Sequence, residues 1–158
     1  MPYEKTNKLH IVAVVAVIRN DQGKYLVLKR RDDEIAYPGM YTFPGGKVED
    51  SDTVEETLVK EAQEEANLDL LPGKVLLKDK AFVRPDGQTV KVFSYLCQVS
   101  NPEGLKISED FTAFAWVNLA ELQQLSHVGI EEELIRAEEI LASGVDLKIL
   151  QTKSVRED

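Results

Sequence analysis

Hydrophobic residues along the chain follow two different periods, and each period predicts a type of secondary structure. Residues 10–18 form a run rich in valine and isoleucine, and residues 24–29 form a shorter apolar run. Runs of this length and composition predict buried β-strands. The polar residues 20–23 between them include a glycine and predict a turn, so we expect the two strands to form an antiparallel hairpin.

The clearest helical period lies in residues 53–66. One apolar stripe is formed by residues spaced four apart: Val54, Leu58 and Ala62. Thr53 and Glu56 have the spacing of a capping box, which predicts that the helix begins directly after Thr53. Asn67 follows the last turn, at the position where a residue in the left-handed conformation commonly ends a helix.

Strand and helix patterns alternate in the rest of the chain. Strands are predicted near residues 41–43, 74–82, 89–98 and 113–117, and helices from residue 118 and over residues 130–142. After the first of these strands, the run Pro44-Gly45-Gly46 predicts a turn. Because strands precede, separate and follow helices, the pattern predicts an α/β fold with a mixed β-sheet. A length of 158 residues without a repeat or a linker predicts one domain, residues 1–158.

The composition is that of an ordinary globular protein. Hydrophobic residues make up 43% of the chain and charged residues 30%, which leaves enough apolar material for a core. No apolar run reaches the roughly 18 residues that a membrane span needs. The N-terminal residues lack an apolar signal segment, and Cys97 is the single cysteine. We therefore expect a cytoplasmic protein with no membrane partner and with Cys97 buried in a strand.

Negative charge is concentrated in one short segment. The chain carries a formal net charge of −9, and residues 46–68 hold eight acids against two bases. A surface this acidic disfavours a nucleic-acid partner, because such a partner needs basic groups to contact its phosphates. The same surface favours the binding of cations.

Three glutamates of the predicted helix, Glu61, Glu64 and Glu65, are spaced so that they share one face. One interpretation is a solvated acidic face, which is the usual role of a charge run. The other is a site for a hard divalent cation such as Mg²⁺, which takes oxygen ligands and shares them with substrate phosphates. Gly45 and Gly46 shortly before the helix favour this second interpretation, because glycines let a backbone approach a ligand closely.

The order of these features matches one family signature. Gly46 is followed after five residues by Asp52 and, after seven more, by the run Lys60-Glu61-Ala62-Gln63-Glu64-Glu65-Ala66-Asn67-Leu68. With this spacing over residues 46–68, the chain resembles the Nudix (MutT-type) hydrolases. The resemblance implies the Nudix fold, a mixed β-sheet sandwiched between α-helices. It also implies hydrolysis of the pyrophosphate linkage in a nucleoside diphosphate that is joined to a further group.

The resemblance also assigns roles to individual residues. It implies a catalytic site at which Mg²⁺ or Mn²⁺ is bound by four residues: Gly45, through its carbonyl, and Glu61, Glu64 and Glu65. We expect one glutamate, Glu61, to double as the general base. Substrate contacts are implied for a second group, in which the arginines suit phosphate oxygens: Arg30, Arg31, Phe43 and Gly46.

Three positions depart from the signature, and all three belong to the scaffold of the site. Asp52 stands where the family has glutamate, Lys60 where it has arginine, and Asn67 where it has glycine. The resemblance implies a supporting ion pair between Asp52 and Lys60. The ammonium group of Lys60 is a point charge, so it cannot reproduce the two-pronged contact of a guanidinium.

Two further sets of residues are candidates for the site. Glu109 and Asp110 are candidates for a late carboxylate that faces the metal. Tyr37, Tyr41 and Phe43 are candidates for stacking on a nucleobase, and core or loop packing is the alternative role for each ring.

The substrate stays open between three alternatives. The short chain and the Arg30-type phosphate contact favour a (deoxy)nucleoside triphosphate or a related nucleotide. Pro85 favours an ADP-ribose or nucleotide-sugar pyrophosphatase. A nucleotide-sensing module without catalysis is the third alternative, and the intact glutamates disfavour it. The family resemblance also allows a homodimer.

Overall fold

The computed structural model of the protein describes residues 9–150. Seven strands lie in this range: β1 (Ile11–Ile18), β2 (Tyr25–Arg30), β3 (Tyr41–Thr42), β4 (Gly45–Lys47), β5 (Val75–Val83), β6 (Thr89–Cys97) and β7 (Phe111–Val117). Three α-helices accompany them: α1 (Val54–Ala66), α2 (Leu119–Gln123) and α3 (Glu131–Ala142). Short 3₁₀ helices occur at Pro102–Gly104 and Leu147–Ile149.

The strands form two sheets. The first has the order β4-β1-β6-β5, in which β1 and β6 run parallel while both outer pairs are antiparallel. The second has the order β3-β2-β7 and is antiparallel throughout. The four-stranded sheet is therefore the predicted mixed sheet, and the α/β class is confirmed.

Successive side chains of a strand point to opposite faces, so the sheets contribute to two hydrophobic cores. Helices cover both of these cores. The α1 core lies beneath α1 and contains Val14, Ala16, Ile18, Leu26, Leu28, Leu58, Ala62, Ala66, Leu68, Cys97 and Phe111. The α3 core lies on the opposite side and contains Val17, Tyr25, Val27, Phe43, Leu77, Leu96, Val117, Leu122, Ile130, Leu134, Ala137 and Leu147. The predicted arrangement of sheet between helices is thus confirmed, and Cys97 is buried as expected.

The expected hairpin between β1 and β2 is wrong. The turn at residues 20–23 forms, with the Asn20 side chain accepting the backbone N–H groups of Gln22 and Lys24. However, β1 pairs with β4 and β6, whereas β2 pairs with β3 and β7 in the other sheet. Both edges of β1 are occupied by those neighbours, and an isolated bridge joins Arg19, just after β1, to Tyr25 of β2.

The expected turn at residues 44–46 is limited to a bend at Pro44. Gly45 and Gly46 belong to strand β4, which pairs antiparallel with β1 in the register Val15 to Gly45 and Val14 to Gly46. Added Cβ atoms show why glycine is needed in this strand: at Gly45 the atom would strike the Val14 carbonyl oxygen, and at Gly46 it would strike the Glu61 carboxylate. These glycines serve close packing rather than a change of chain direction.

Helix α1 has the predicted ends. The Thr53 side chain accepts the Glu56 N–H, and the Glu56 side chain accepts the Thr53 N–H, which completes the capping box. Asn67 ends the helix in the left-handed conformation, with φ 56° and ψ 37°. Within residues 9–150, no helix has the length and apolar character that crossing a membrane would require.

Candidate active site

Gly45 presents its backbone polar groups at the free edge of the four-stranded sheet. Bonds from the Ala16 N–H to the Pro44 carbonyl and from the Val48 N–H to the Val12 carbonyl, both 2.8 Å long, fix which β4 residues face β1. Because alternate residues of an antiparallel strand bond to opposite sides, the N–H and carbonyl of Gly45 point away from β1. The N–H donates to Glu65 Oε1 at 2.8 Å, so this edge faces helix α1.

Gly46 brings Glu61 against the same strand. A Cβ atom at Gly46 would lie 2.5 Å from Cδ and 2.6 Å from Oε1 of Glu61, closer than real Cβ contacts. Glu61 and Glu65 are one helical turn apart, and the charge of Glu61 contributes to raising the Glu65 pKa. The structure therefore brings Glu61, Glu65 and the polar edge of Gly45 together.

Glu64 completes the predicted trio but is exposed to solvent. The charge of Glu64 still acts on Glu61 and contributes, after burial, to raising the Glu61 pKa. In the part of the chain from residue 9 to residue 150, no three acidic, imidazole or thiol groups are gathered closely enough to enclose a metal ion by themselves. The glutamates thus form an open edge rather than a closed cage.

Burial and mutual repulsion make the two packed carboxylates reluctant to ionise. Burial raises the pKa of Glu65 to about 8, and the charges of Glu61 and Asp110 add to the shift, whereas the Gly45 N–H opposes it. The pKa of Glu61 is raised too, first by burial and then by the charge of Glu64. At neutral pH the pair therefore carries charge at a free-energy cost that a nearby cation would remove.

The C-terminal end of α1 is fixed by a segment that sequence reasoning did not connect to the site. The Ser108 N–H donates to the Glu65 carbonyl at 3.0 Å, and the Lys106 N–H donates to the Ala66 carbonyl at 3.0 Å. These bonds satisfy carbonyls that a helix end leaves without partners. They also bring Asp110 near Glu65, so of the two late carboxylates Asp110 is the one whose charge reaches the glutamates.

Arg30 and Arg31 lie where β2 ends and a long loop begins. Arg30 donates from Nε to the Ala36 carbonyl at 2.9 Å and pairs with Glu34. Arg31 pairs with Asp33 and donates from Nη1 to the Glu109 carbonyl at 3.3 Å. Arg31 thereby connects this loop to the segment that carries Asp110, next to the glutamates.

The three aromatic candidates have different surroundings. Phe43 is 3% exposed and belongs to the α3 core, so its ring offers no face to a ligand. Tyr41 is half-buried and packs against that core. Tyr37 is 59% exposed and has a φ of 49°, which is unusual for a bulky residue. Tyr37 lies one residue beyond the carbonyl that Arg30 contacts.

The expected ion pair between Asp52 and Lys60 does not form. Among the described residues 9–150, no ion pair within 4 Å links Asp52 to Lys60, and the Lys60 side chain is exposed. The first turn of α1 is instead held by Lys74, whose Nζ lies 3.2 Å from Glu55 Oε1. Lys74 was not among the predicted site residues, since a lysine at the start of a strand ordinarily faces solvent.

Comparison with known proteins agrees with this geometry. A family profile described as the NUDIX domain matches residues 9–137, which is most of the chain. The protein belongs to the Nudix family. It is therefore a Nudix hydrolase, an enzyme of the class that cleaves phosphoric anhydride bonds.

Individual relatives share the same fold. The nucleoside triphosphatase NudI of Escherichia coli O139:H28 is 33% identical over 120 residues, covering 69% of this chain and 82% of NudI. The crystal structure of a MutT protein from Methanosarcina mazei Go1 superposes with a TM-score of 0.69 at 22% identity, covering 89% of this chain and all of that one. The NUDIX domain of Shewanella oneidensis NrtR, crystallised with ADP ribose, gives 0.68 at 20% identity, covering 85% and 90% of the two chains.

Glu65 predicts a specific pH dependence of stability in the metal-free enzyme. Its pKa of about 8 in the folded state lies above its ordinary value of 4.5, so the folded state binds more protons than the unfolded state between these pH values. The free energy of unfolding should therefore fall as pH rises from about 5 to 8, by at most about 1.4 kcal/mol per pH unit for one proton. Urea unfolding in the presence of a chelator measures this slope.

The matched variant is Glu65→Gln, which keeps an oxygen that can accept the Gly45 N–H but cannot ionise. We expect the stability of Glu65→Gln to depend less on pH than that of the wild type, and to exceed it by the largest margin near pH 8. Parallel pH profiles for the two proteins would contradict the assignment of this titration to Glu65.

Gly46→Ala should damage the site while leaving the fold intact. The new methyl group would occupy the position of the Glu61 carboxylate, which is the end of a flexible side chain and can move away. A displacement of about 1 Å near reacting groups can lower the rate by about a hundredfold. Steady-state kinetics should show such a loss in kcat/KM, with a thermal midpoint close to that of the wild type.

Gly45→Ala provides the contrast, because its methyl group would meet the backbone carbonyl of Val14. Backbone cannot move aside as readily, so this variant should lose stability as well as activity. An active Gly46→Ala enzyme would show that the contact between Gly46 and Glu61 is unimportant for catalysis.

Proposed function

We propose that the enzyme hydrolyses the pyrophosphate linkage of a nucleoside diphosphate joined to a further group, in a reaction that depends on Mg²⁺ or Mn²⁺. A (deoxy)nucleoside triphosphate or a related nucleotide is the preferred substrate in this proposal. The observation that carries it is the edge formed by Gly45, Glu61 and Glu65, where carboxylates of raised pKa lie against the outward-facing backbone of Gly45. We also propose that residues 1–158 act as one domain in the cytoplasm.

A divalent cation fits this edge for two reasons. Burial is the main cause of the raised pKa values of Glu61 and Glu65, carboxylate repulsion adds to it, and a nearby positive charge would favour the ionised form of both groups. An open set of oxygen donors also suits Mg²⁺, which keeps several ligand positions for water and substrate phosphates. In the proposal the cation is held by Glu61, Glu64, Glu65 and the Gly45 carbonyl.

The metal would supply charge neutralisation for the pyrophosphate and activation of a water molecule. The protein supplies position: Gly45 and Gly46 fix where the Glu61 and Glu65 carboxylates lie, and α1 carries both. Glu61 is our candidate for accepting the proton of the attacking water. Its pKa is raised by burial and by the charge of Glu64, and a raised pKa makes a carboxylate a stronger base.

Arg30 and Arg31 are proposed to contact the substrate phosphates. Both guanidinium groups now pair with loop carboxylates, Glu34 and Asp33, and both pairs are partly exposed to solvent. Exposed pairs of this kind contribute little stability, so a phosphate can replace the carboxylate at low cost. Arg31 is the better placed of the two, because it also reaches the segment that carries Asp110.

The choice of substrate rests on the relatives. NudI is a nucleoside triphosphatase and shares 33% identity with this chain, which supports the triphosphate alternative. The NrtR domain that binds ADP ribose shares the fold at 20% identity, which keeps ADP-ribose and nucleotide sugars as the second alternative. A sensing module without catalysis is disfavoured, because the glutamate cluster is intact.

Product analysis tests the reaction and the substrate together. Wild type and Glu65→Gln would be incubated with Mg²⁺, or separately with Mn²⁺, and a panel of nucleoside triphosphates, deoxynucleoside triphosphates, ADP-ribose and nucleotide sugars. We expect a nucleoside monophosphate and pyrophosphate from a triphosphate, and loss of this cleavage in the variant. Chromatography identifies the products.

Other products would redirect the proposal. Formation of AMP and ribose 5-phosphate would establish the ADP-ribose alternative. Tight nucleotide binding without turnover in either metal would favour the sensing module. Unchanged turnover in Glu65→Gln would show that the glutamate face is only a solvated surface.

Tyr37 is proposed as the base contact, because its ring is exposed while Phe43 and Tyr41 are covered. Its backbone adopts a strained left-handed conformation in the loop that Arg30 and Arg31 hold. Stacking of a base on an aromatic ring is worth about 1–3 kcal/mol. Tyr37→Ala should therefore raise KM about tenfold, with kcat nearly unchanged.

Tyr37→Phe is the matched control, because it keeps the ring and removes only the hydroxyl group. We expect its KM to stay near the wild-type value. If Tyr37→Ala lowered kcat and left KM unchanged, a role in base binding would be excluded.

A further inference from the structure

Helix α1 must be held in one position for its glutamates to meet β4, and Lys74 is the unusual residue at its first turn. The Lys74 side chain is 2% exposed, although lysine is rarely buried unless it is paired. It lies directly before β5 and reaches across to Glu55 in α1, with 3.2 Å between Nζ and Oε1. The Glu55 side chain is 22% exposed, so the ion pair is largely shielded from water.

The ammonium group is fixed by more than this pair. It also donates to the Leu71 carbonyl at 3.1 Å and to the Pro72 carbonyl at 3.4 Å. Three acceptors match the three N–H donors of an ammonium group, so burial leaves none of them without a partner. The ion pair therefore has a defined geometry rather than the loose one of a surface salt bridge.

The segment that carries Lys74 is itself anchored. The Leu71 N–H donates to the Gln98 carbonyl at 2.8 Å, just beyond the end of β6. Gly73 packs so closely on the Leu147 carbonyl that a Cβ atom would collide with it. Lys74 thus connects α1 to a rigid part of the sheet.

The opposite end of α1 is held by the bonds from Ser108 and Lys106 to the last carbonyls of the helix. Between these two attachments lie Glu61 and Glu65, which contact Gly46 and Gly45 at close range. The pair expected to support the helix, Asp52 and Lys60, does not form within the described residues 9–150.

We propose that Lys74 is a positioning residue, and that its buried ion pair with Glu55 sets the placement of α1 against β4 in this enzyme. It does so in place of an Asp52–Lys60 pair. The inference rests on the proposed role of Glu61 and Glu65 as metal ligands. Loss of the ammonium group removes a buried donor from the Glu55 carboxylate and from two carbonyls, which disfavours the present placement of the first turn of α1. Mutation of a residue that orients metal ligands typically lowers metal affinity or activity ten- to a hundredfold.

Lys80 provides a matched control on the other side of the sheet. Its Nζ lies 3.4 Å from the Glu133 carboxylate of α3, and Glu133 is 1% exposed. Lys80→Met therefore also breaks a partly buried ion pair between a strand and a helix, but it does not touch α1. Loss of stability alone should affect both variants, whereas loss of helix positioning should affect only Lys74→Met.

The experiment compares wild type, Lys74→Met and Lys80→Met in two ways, at a temperature where all three are folded. The first measurement is hydrogen exchange of the Gly45 amide in metal-free protein, because this amide donates to Glu65 and reports the distance between α1 and β4. We expect faster exchange of this amide in Lys74→Met than in the wild type, because its bond to Glu65 would open more often. The second is calorimetric titration with Mn²⁺ and with Mg²⁺, in which Lys74→Met should bind about ten- to a hundredfold more weakly. Lys80→Met should resemble the wild type in both.

Glu55→Gln is the second variant, for use if Lys74→Met does not fold. It removes the charge and keeps an oxygen for the Lys74 ammonium group, so we expect a smaller change of the same sign in both measurements. If the folded variant, Lys74→Met or Glu55→Gln, had the same Gly45 exchange rate and the same metal affinity as the wild type, the inference would be overturned. Equal losses in that variant and Lys80→Met would also overturn it, since these would reflect stability alone. A wild type that binds neither metal would overturn the proposed metal site instead, and Gly45 exchange would still report on Lys74.

Discussion

The site depends on the close approach of strand β4 to helix α1, and at Gly46 this approach leaves no room for a side chain. A Cβ atom at Gly45 would meet the Val14 carbonyl, and one at Gly46 would meet the Glu61 carboxylate. Gly46 therefore leaves room for the Glu61 carboxylate, and Gly45 allows close pairing of β4 with β1 while its N–H bonds to Glu65 at the polar edge of the sheet. The same contact removes water from these carboxylates, and this raises the Glu65 pKa to about 8.

The free-energy cost of that contact follows from electrostatics. Glu61, Glu65 and nearby Asp110 repel one another when ionised, and burial strengthens the effect because fewer waters screen the charges. Such an arrangement lowers the stability of the protein in the absence of a cation. A cation at this edge would remove a free-energy penalty that the folded chain already carries. Other contacts must then hold α1 in place against this repulsion.

Local signals in the sequence were sufficient for the elements whose ends depend on neighbouring residues. Thr53, Glu56 and Asn67 lie within or directly beside α1, so the capping box and the left-handed end were predictable. The pairing of β1 was not, because its partners β4 and β6 come from distant parts of the chain. A turn such as residues 20–23 indicates that the chain reverses, but not whether the next strand stays in the same sheet. The glycines of β4 were misinterpreted for a related reason, since their need for close contact arises from α1 and β1.

The site shows the same division between local and distant contacts. Spacing along the helix predicted that Glu61 and Glu65 share a face, and the structure adds what lies opposite them. Lys74 is 19 residues from Glu55, and Ser108 is more than 40 residues from Glu65, so no periodicity could connect either pair. Lysine side chains are ordinarily exposed, so the sequence gives no reason to expect that Lys74 is buried. Only the folded chain shows why it is tolerated, because Glu55 and two carbonyls together replace the water that burial removes. Contacts that position a helix against a strand from a distant part of the chain are long-range, so a sequence motif can indicate candidate ligands without indicating what aligns them.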